Sequence, residues 1–229
     1  MHRDIEKLKL EIPLFYNNKF GLRFEIGSPD VEIWTDGESG IYNKTYFDTA
    51  LNRAMDIFEQ VFATNDEISI VYQVYLNRRN RIRKGNFIFK QINEIEKRSV
   101  NITKHRILNN ELFDCISYRW NKAVVSGMRT NEVNVRNILS GLINADFRTI
   151  QPSVKGECFF INHTKGIALN LYDDRGMDVV ALERSTLELL YKSHSEFILD
   201  YDRERKIKYS LKNTDPFKIL LKFATLRAH

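Results

Sequence analysis

Hydrophobic and polar residues alternate along much of this chain with the two-residue period of strands that bury one face. In the first part of the sequence, FGLRFEI (20–26) and VEIW (31–34) flank the turn sequence GSPD at 27–30, which predicts a hairpin. The same alternation returns in later segments, at 67–76, 100–107 and 115–125. A largely antiparallel sheet is therefore expected before the last third of the chain begins.

Two segments instead repeat hydrophobic residues at helical spacing. The first follows TYFD at 45–48, which resembles the opening of a capping box, and the second can be capped by Thr130. Their hydrophobic faces are Phe47, Ala50, Leu51, Ala54, Phe58, Val61 and Phe62 in the first, and Val135, Ile138, Leu139, Leu142 and Ile143 in the second. Both patterns predict amphipathic helices that pack on the sheet.

The last third of the chain predicts a three-stranded meander followed by helices. The alternating segments lie at 159–161, 167–171 and 178–182. Between them, HTKG (163–166) and DDRG (173–176) form turns that end in glycine, the residue that a left-handed backbone favours. A capping-box sequence at 185–188 and the pair DP at 215–216 then open two helices. The fold class is therefore α+β, with a mainly antiparallel sheet and helices packed on it.

Length and composition predict one globular unit. The chain has 229 residues with four prolines and ten glycines, enough for a sizeable core and too few turn residues for a long linker. We therefore expect a single α+β domain over 1–229. A subdivision into 1–110 and 111–229, with the YDDRG and LDYDR motifs in the second half, stays open as an alternative.

Composition also bears on the compartment. No segment approaches the roughly 18 consecutive apolar residues of a membrane span, and the charged N-terminal stretch lacks the apolar core of a secretion signal. The two cysteines, Cys115 and Cys158, are too few for a disulfide scaffold and are interpreted as buried thiols. A cytoplasmic protein without a membrane partner is expected.

Longer stretches of the sequence resemble an uncharacterised bacterial family of domains of unknown function, common in Bacillus-like organisms. The stretches that carry the resemblance are FYNNKFGLRFEIG (15–27), YFDTALNRAMDIFEQVF (46–62), LINADF (142–147), YDDRGMDV (172–179) and LDYDRE (199–204). They span most of the chain from Leu14 to Arg205. The resemblance implies no catalytic activity. Because some members look like neighbours of secreted bacterial toxin systems, it suggests an immunity role.

An aspartate-rich stretch is the first candidate site. It contains Asp173, Asp174, Asp178, Asp200 and Asp202 together with Arg175 and Arg203. Converging carboxylates can bind Mg²⁺ or Mn²⁺ for phosphoryl chemistry, but arginines can equally pair with them in a structural salt-bridge network. The salt-bridge interpretation, without a metal, is preferred. It places Arg175 against Asp200 or Asp202, with Gly176 in a left-handed backbone conformation.

A basic loop is the second candidate site. Its cations are Arg78, Arg79, Arg81, Arg83 and Lys84. They can neutralise phosphates, with Phe87 and Phe89 available to stack on nucleic-acid bases. The alternative is a solvated charged loop with both phenylalanines in the core, which is the usual role of a charge run of this length.

Other polar residues give weaker signals. Arg23 and Glu25 alternate with Phe24 and Ile26, so they share a strand face that is interpreted as solvated. His194 falls on the hydrophobic face of its helix and is interpreted as a core residue. The sequence shows no metal-ligand spacing of histidines, phosphate-binding glycine loop or serine-nucleophile motif. No catalytic residue and no cofactor are therefore predicted.

The leading functional hypothesis is a non-enzymatic protein that binds another protein, such as an immunity-type antitoxin that binds a toxin. A net charge of +5 opposes binding to a basic toxin, although the acidic last third of the chain can supply a complementary face. Two alternatives stay open. One is a metal-dependent enzyme that acts on phosphoesters through the aspartate-rich stretch, and the other is nucleic-acid binding through the basic loop.

Overall fold

A seven-stranded antiparallel sheet forms the centre of the molecule. A computed structural model describes residues 5–75, 82–108, 117–147, 149–199 and 202. The strands of the large sheet are β1 (Phe20–Glu25), β4 (Glu67–Tyr75), β5 (Val100–Leu108), β6 (Ser117–Arg129), β7 (Glu157–Asn162), β8 (Ile167–Leu171) and β9 (Gly176–Ala181), and two short strands, β2 (Trp34–Asp36) and β3 (Ile41–Tyr42), pair separately. The large sheet has the order β1-β9-β8-β7-β4-β6-β5. The α+β architecture expected from the sequence is confirmed.

The prediction that the strands at 20–26 and 31–34 pair as a hairpin is wrong. Strand β1 pairs antiparallel with β9, and β2 pairs with β3. Phe24 and Ile26 are fully buried, so β1 needs a place in the main core, whereas all of β2 is exposed and cannot provide one. The alternation marked the strands correctly, but the turn sequence between them did not decide which strands pair.

The remaining strand predictions agree closely with the structure. The meander β7-β8-β9 forms as expected, and β4, β5 and β6 begin or end within a few residues of the predicted bounds. The β7–β8 turn ends at Gly166, whose φ of 71° is left-handed as predicted. Local alternation and glycine-terminated turns are therefore sufficient to define this part of the sheet.

The α-helices of the described part of the chain are α1 (Leu14–Asn17), α2 (Lys44–Val61), α3 (Phe87–Lys90), α4 (Val135–Ile143) and α5 (Glu188–Ser193). Asn43 and Asn134 cap α2 and α4 by accepting hydrogen bonds from the backbone N–H groups of Thr45 and Asn137. The predicted cap Thr130 instead opens a 3₁₀ turn that precedes α4. Asparagine and threonine side chains can both accept hydrogen bonds from the free N–H groups of a first helical turn. The sequence pattern alone therefore did not show whether Thr130 or Asn134 is the cap of α4.

The larger core lies between one face of the sheet and the helices. All five predicted apolar residues of α4 are buried, and α2 buries most of its predicted face, with Phe47 and Leu51 only partly covered. Helices α2 and α4 contact each other and strand β8. Cys158 is a buried free thiol in this core, and burial raises its pKa, whereas Cys115 lies outside the described residues.

The opposite face of the sheet is covered by the N-terminal segment 5–18. Leu8 and Leu14 pack there in a second hydrophobic cluster whose sheet residues are Val71, Phe159, Ile161, Ala168 and Val180. Both faces of the central strands are thus buried, which explains why β8 and β9 are buried along their whole length. Among the described residues, no helix has the length and apolar character needed to cross a bilayer.

Candidate functional site

The four predicted aspartates that the structure describes lie inside the protein rather than on a charged rim. Asp173, Asp174, Asp178 and Asp202 are each 7% exposed or less. Asp200 and Arg203 lie outside the described residues. Because a buried carboxylate needs a hydrogen-bonding partner, the partner of each aspartate decides what the stretch does.

Asp178 forms a buried ion pair with Arg23. The two residues face each other across the β1–β9 pair, where Nε of Arg23 lies 2.7 Å from Oδ1 and Nη2 lies 2.9 Å from Oδ2. The backbone N–H of Phe15 donates to the same Oδ2 at 2.9 Å. Burial opposes the charge on Arg23, but the hydrogen bond and charge of Asp178 outweigh it and raise the pKa of Arg23. The solvated face predicted for Arg23 is therefore wrong.

Aromatic rings surround the guanidinium of Arg23. Its Cζ atom lies 4.6 Å from the ring centre of Tyr16 and 5.4 Å from those of Phe15 and Tyr172. The hydroxyl of Tyr16 donates to Oδ1 of Asp202 at 3.2 Å. Two predicted site residues thus contact the N-terminal segment: Asp178 joins it to β9, and Asp202 bonds Tyr16.

Among the described residues, Arg175 pairs with Asp173 and not with the predicted Asp202, while the other predicted partner, Asp200, lies outside the described residues. Its Nε donates to Oδ2 of Asp173 at 2.9 Å, and its backbone N–H donates to Oδ1 at 2.9 Å. The side chain is 74% exposed, and Asp202 bonds Tyr16 instead. An aspartate that opens a turn can close a ring with the residue two positions later, and this local contact needs no distant partner.

Asp174 is held by α2. The hydroxyl of Tyr46, in the first turn of that helix, donates to Oδ2 of Asp174 at 2.6 Å. Burial raises the pKa of Asp174, while the hydrogen bond from Tyr46 acts in the opposite direction. Burial together with the nearby carboxylate raises the pKa of Tyr46 as well. This contact ties the β8–β9 turn to the helix.

Gly176 is required in this turn for a reason other than the one predicted. Its φ does not lie in the left-handed region. A Cβ atom at this position would lie 1.8 Å from the hydroxyl oxygen and 2.4 Å from Cζ of Tyr172. The glycine therefore makes room for an aromatic ring rather than for an unusual backbone conformation.

One group of carboxylates could chelate a cation, but it differs from the predicted set. Oxygen atoms of Asp146, Asp173 and Asp174 lie within 4.8 Å of one another, and Asp178 and Asp202 do not belong to the group. Asp173 is already paired with Arg175 and Asp174 with Tyr46, while Asp146 is exposed. Sequence reasoning missed Asp146, which the motif LINADF contains. Three carboxylates with these partners do not by themselves define a metal site.

The basic loop is only partly described. Arg78, Arg79 and Arg81 lie outside the described residues. Nζ of Lys84 donates to the backbone carbonyls of Ile95, Glu96 and Arg98 at 3.3, 3.1 and 2.9 Å, so Lys84 has a structural contact. Arg83 is exposed.

The phenylalanines that follow the basic loop do not form an open stacking platform. Phe89 is fully buried, and Phe87 is partly buried against the larger core. Sequence reasoning proposed both rings as partners for nucleic-acid bases, and Phe89 is inaccessible to a base. His194, interpreted as a core residue, is half-buried between the rings of Phe24 and Phe197.

The β2–β3 hairpin carries an aromatic surface that sequence reasoning did not identify. Trp34 stacks on Tyr42 with ring centres 4.3 Å apart, and Tyr42 contacts Phe47 and Phe147 edge-on. Trp34 is 42% exposed and Ile41 is 54% exposed. The stack therefore has its base in α2 and in Phe147, which follows the 3₁₀ turn after α4, and its outer end lies in solvent.

Carboxylates accompany these exposed rings. Residues 28–43, which we call the acidic aromatic hairpin, include Asp30, Glu32, Asp36 and Glu38 and contain no Lys, Arg or His. All four carboxylates are exposed. Hydrogen bonds from the hydroxyl and backbone of Ser39 lower the pKa of Asp36, so this carboxylate is ionised at neutral pH. The signal in the sequence that could have identified this surface is a tryptophan in a segment with four acidic residues and no basic residue.

Comparisons with known proteins place the chain in a family without assigning an activity. The uncharacterised protein YnaE of Bacillus subtilis (strain 168) is 24% identical over 206 residues, which cover 83% of this chain and 91% of YnaE. No solved structure matches the chain significantly. A family model described as a domain of unknown function, DUF3885, matches residues 1–202, and the chain therefore belongs to this family.

Proposed function

We propose that the protein acts by binding another protein through the acidic aromatic hairpin, in an immunity-type role and without catalysing a reaction. The observation that carries the proposal is Trp34, a large aromatic side chain that stays 42% exposed although it is stacked on Tyr42. Tryptophan and tyrosine are enriched among the residues that contribute most to protein–protein affinity. An exposed tryptophan that stacks on a partly buried tyrosine of a supported hairpin is typical of a contact surface.

The support beneath the hairpin strengthens this interpretation. Phe47 and Phe147 pack edge-on with ring centres 4.8 Å apart, and both contact Tyr42. Rings fixed in this way lose little conformational freedom when a partner binds, so less of the binding energy is spent on ordering them. The backbone N–H of Asn43 also donates to the carbonyl of Ile33 at 2.8 Å, which closes the base of the hairpin.

The phosphoester-enzyme alternative receives less support from the same geometry. Asp178 is fully buried beneath Arg23, and Asp174 is bonded to Tyr46, so neither carboxylate is open to a substrate. The aspartate-rich stretch is better explained as a set of contacts that hold the N-terminal segment, the β8–β9 turn and α2 together.

Site-specific crosslinking can test the proposal. Ile41, which is exposed and lies opposite Asp36 in the hairpin, is replaced by the photo-crosslinking amino acid p-benzoylphenylalanine, and the captured protein is identified from the native cell. The captured protein is then purified, and its Kd is measured for the unmodified chain and for two variants. Trp34→Ala should weaken binding at least about tenfold, as expected for a central interface tryptophan.

Leu189→Ala is the matched control, because Leu189 is also a large exposed hydrophobic residue but lies on α5. Its Kd should equal that of the unmodified chain. Equal affinities for all three proteins would contradict the proposed surface. The immunity role is tested separately by co-expression with a toxin-domain gene from the same genomic neighbourhood. Growth that is not restored would reject that role.

A further inference from the structure

We infer that the partner of the acidic aromatic hairpin is a protein that presents a cluster of Lys and Arg side chains. The inference rests on the proposed function and adds the chemistry of the partner. It follows from the contrast between this hairpin and the rest of the chain. The whole protein has a net charge of +5, whereas residues 28–43 carry four carboxylates and no cation.

No described cation neutralises these carboxylates. Lys44, the first cationic residue after the hairpin, pairs with Asp48 one helical turn away. Arg175, which is exposed near Asp146, is bonded to Asp173. Within the described ranges of the chain, no ion pair involves Asp30, Glu32 or Glu38. The negative charge is thus available to an approaching partner.

The aromatic rings suit the same partner. The exposed part of Trp34 offers a π surface, and lysine and arginine bind such surfaces most strongly when the ring is tryptophan. Carboxylates on both sides of Trp34 along the hairpin can bond the same cations, and arginine can bind a carboxylate with two parallel hydrogen bonds. An anionic partner such as nucleic acid would meet four like charges here and is excluded from this surface.

The charge extends beyond the hairpin. Phe147, at the base of the aromatic stack, directly follows Asp146, whose carboxylate lies within 4.8 Å of those of Asp173 and Asp174. Of these three carboxylates only Asp146 is exposed, so the hairpin gains one further surface carboxylate at its base, next to the exposed Arg175 that pairs with Asp173. A partner with several cations can contact the hairpin and Asp146 at once, and its association should be steered electrostatically.

Selection from a phage-displayed library of random peptides tests the inference even while the natural partner is unidentified. The full-length protein is the target, and phages that also bind the Trp34→Ala variant are removed. Peptides retained in this way should be enriched in Lys and Arg next to an apolar residue. Selected peptides are then synthesised, and their Kd is measured at low salt and at about 0.3 M salt.

A charge-neutral variant supplies the decisive comparison. Asp30→Asn, Glu32→Gln and Glu38→Gln together should weaken peptide binding about tenfold and reduce its salt dependence. Asp36 is left unchanged because it bonds the backbone of the turn. The control replaces three other exposed glutamates, Glu6, Glu59 and Glu96, with glutamine and should bind as the unmodified protein does.

The outcomes separate this inference from the proposal on which it rests. Neutral or acidic peptides that depend on Trp34, or binding that the charge-neutral variant retains, would overturn the cationic partner while leaving the hairpin as a binding surface. Selection that yields no peptide dependent on Trp34 would count against both. Self-association lost in Trp34→Ala, measured by sedimentation, would identify a second copy of the chain as the occupant instead and overturn the inference.

Discussion

At the scale of single residues, the surroundings of an ion pair, rather than the residue types in it, decide how much the pair stabilises the fold. Arg23 and Arg175 both bind an aspartate, yet Arg23 is enclosed by three aromatic rings and Arg175 is largely exposed. A buried pair leaves an uncompensated charge when one member is removed, whereas water replaces a lost partner at the surface. The two arginines should therefore differ sharply in their effects on stability.

Replacing Arg23 with alanine should lower the free energy of unfolding by about 3 kcal/mol, because Asp178 would stay buried without its cation. Arg175→Ala should change it by no more than about 0.5 kcal/mol. Urea unfolding of both variants measures the difference. A large loss of stability in Arg175→Ala would show that the β8–β9 turn is held by that arginine after all.

Glu157 predicts a pH dependence of stability. Burial raises the pKa of this carboxyl, and a hydrogen bond from Gln73 only partly offsets the effect. The folded state therefore holds the proton of Glu157 more tightly than the unfolded state does. The stabilising effect of this protonated carboxyl is present at low pH and is lost as pH rises through the pKa of the folded state. Glu157→Gln keeps a hydrogen-bonding group beside Gln73 but cannot ionise. Relative to the unmodified protein, this variant should therefore gain more free energy of unfolding at pH 7 than at pH 4.

The check for Glu157 is chemical unfolding at both pH values. Asp174 also has a raised pKa from burial, so the pH dependence of the unmodified protein includes both groups. Comparison of the variant with the unmodified protein isolates the contribution of Glu157. An identical pH profile for the two proteins would mean that Glu157 is solvated in the folded state.

At the scale of elements, contacts across the sheet fix the turn between β8 and β9. The backbone N–H of Ile26 donates to the carbonyl of Arg175 at 2.9 Å, and Tyr46 of α2 reaches Asp174. Tyr172 covers Gly176 at the start of β9. One short turn thus joins β1, α2 and the meander.

Gly176→Val should destabilise the protein by about 1–3 kcal/mol, because the new side chain would overlap the ring of Tyr172. Thermal unfolding should show a lower Tm for this variant. The double variant Gly176→Val with Tyr172→Leu should recover part of the loss, since the smaller side chain leaves space. Equal Tm values for the single variant and the unmodified protein would remove the steric argument.

At the scale of the whole molecule, strands from both halves of the sequence share one sheet. Strand β4, from the first half, lies between β6 and β7 from the second, and β1 pairs with β9 at one edge. Neither half contains a complete set of neighbouring strands. We therefore propose that the chain folds as one domain rather than as the two units 1–110 and 111–229.

A single cooperative unfolding transition is the expected consequence. Fluorescence and far-UV circular dichroism should report the same midpoint in urea. A fragment covering 1–110 should not fold alone, because β1 and β4 would lack their partners. Two separate transitions, or a folded fragment, would contradict the single domain.

Much of the fold could be predicted from local patterns, whereas the site could not. The alternation in β7 and β8 and the helical spacing in α4 identified elements that the structure contains. The aspartate-rich stretch was recognised as significant, but the contact of Arg175 with Asp173 and that of Asp178 with Arg23 were both missed. Arg23 lies 155 positions before Asp178 in the sequence, and no periodic pattern connects them. The hairpin surface was missed because exposure is a property of the packed molecule.

The sequence by itself determined the α+β class, the meander and the faces that the main helices bury, because each depends on side chains a few positions apart. Only the tertiary structure decided that β1 pairs with β9, that the four described aspartates of the aspartate-rich stretch are buried, and that Trp34 stays exposed. A two-residue period shows which face of a strand is apolar, but which strand pairs with it depends on the packing of the entire core.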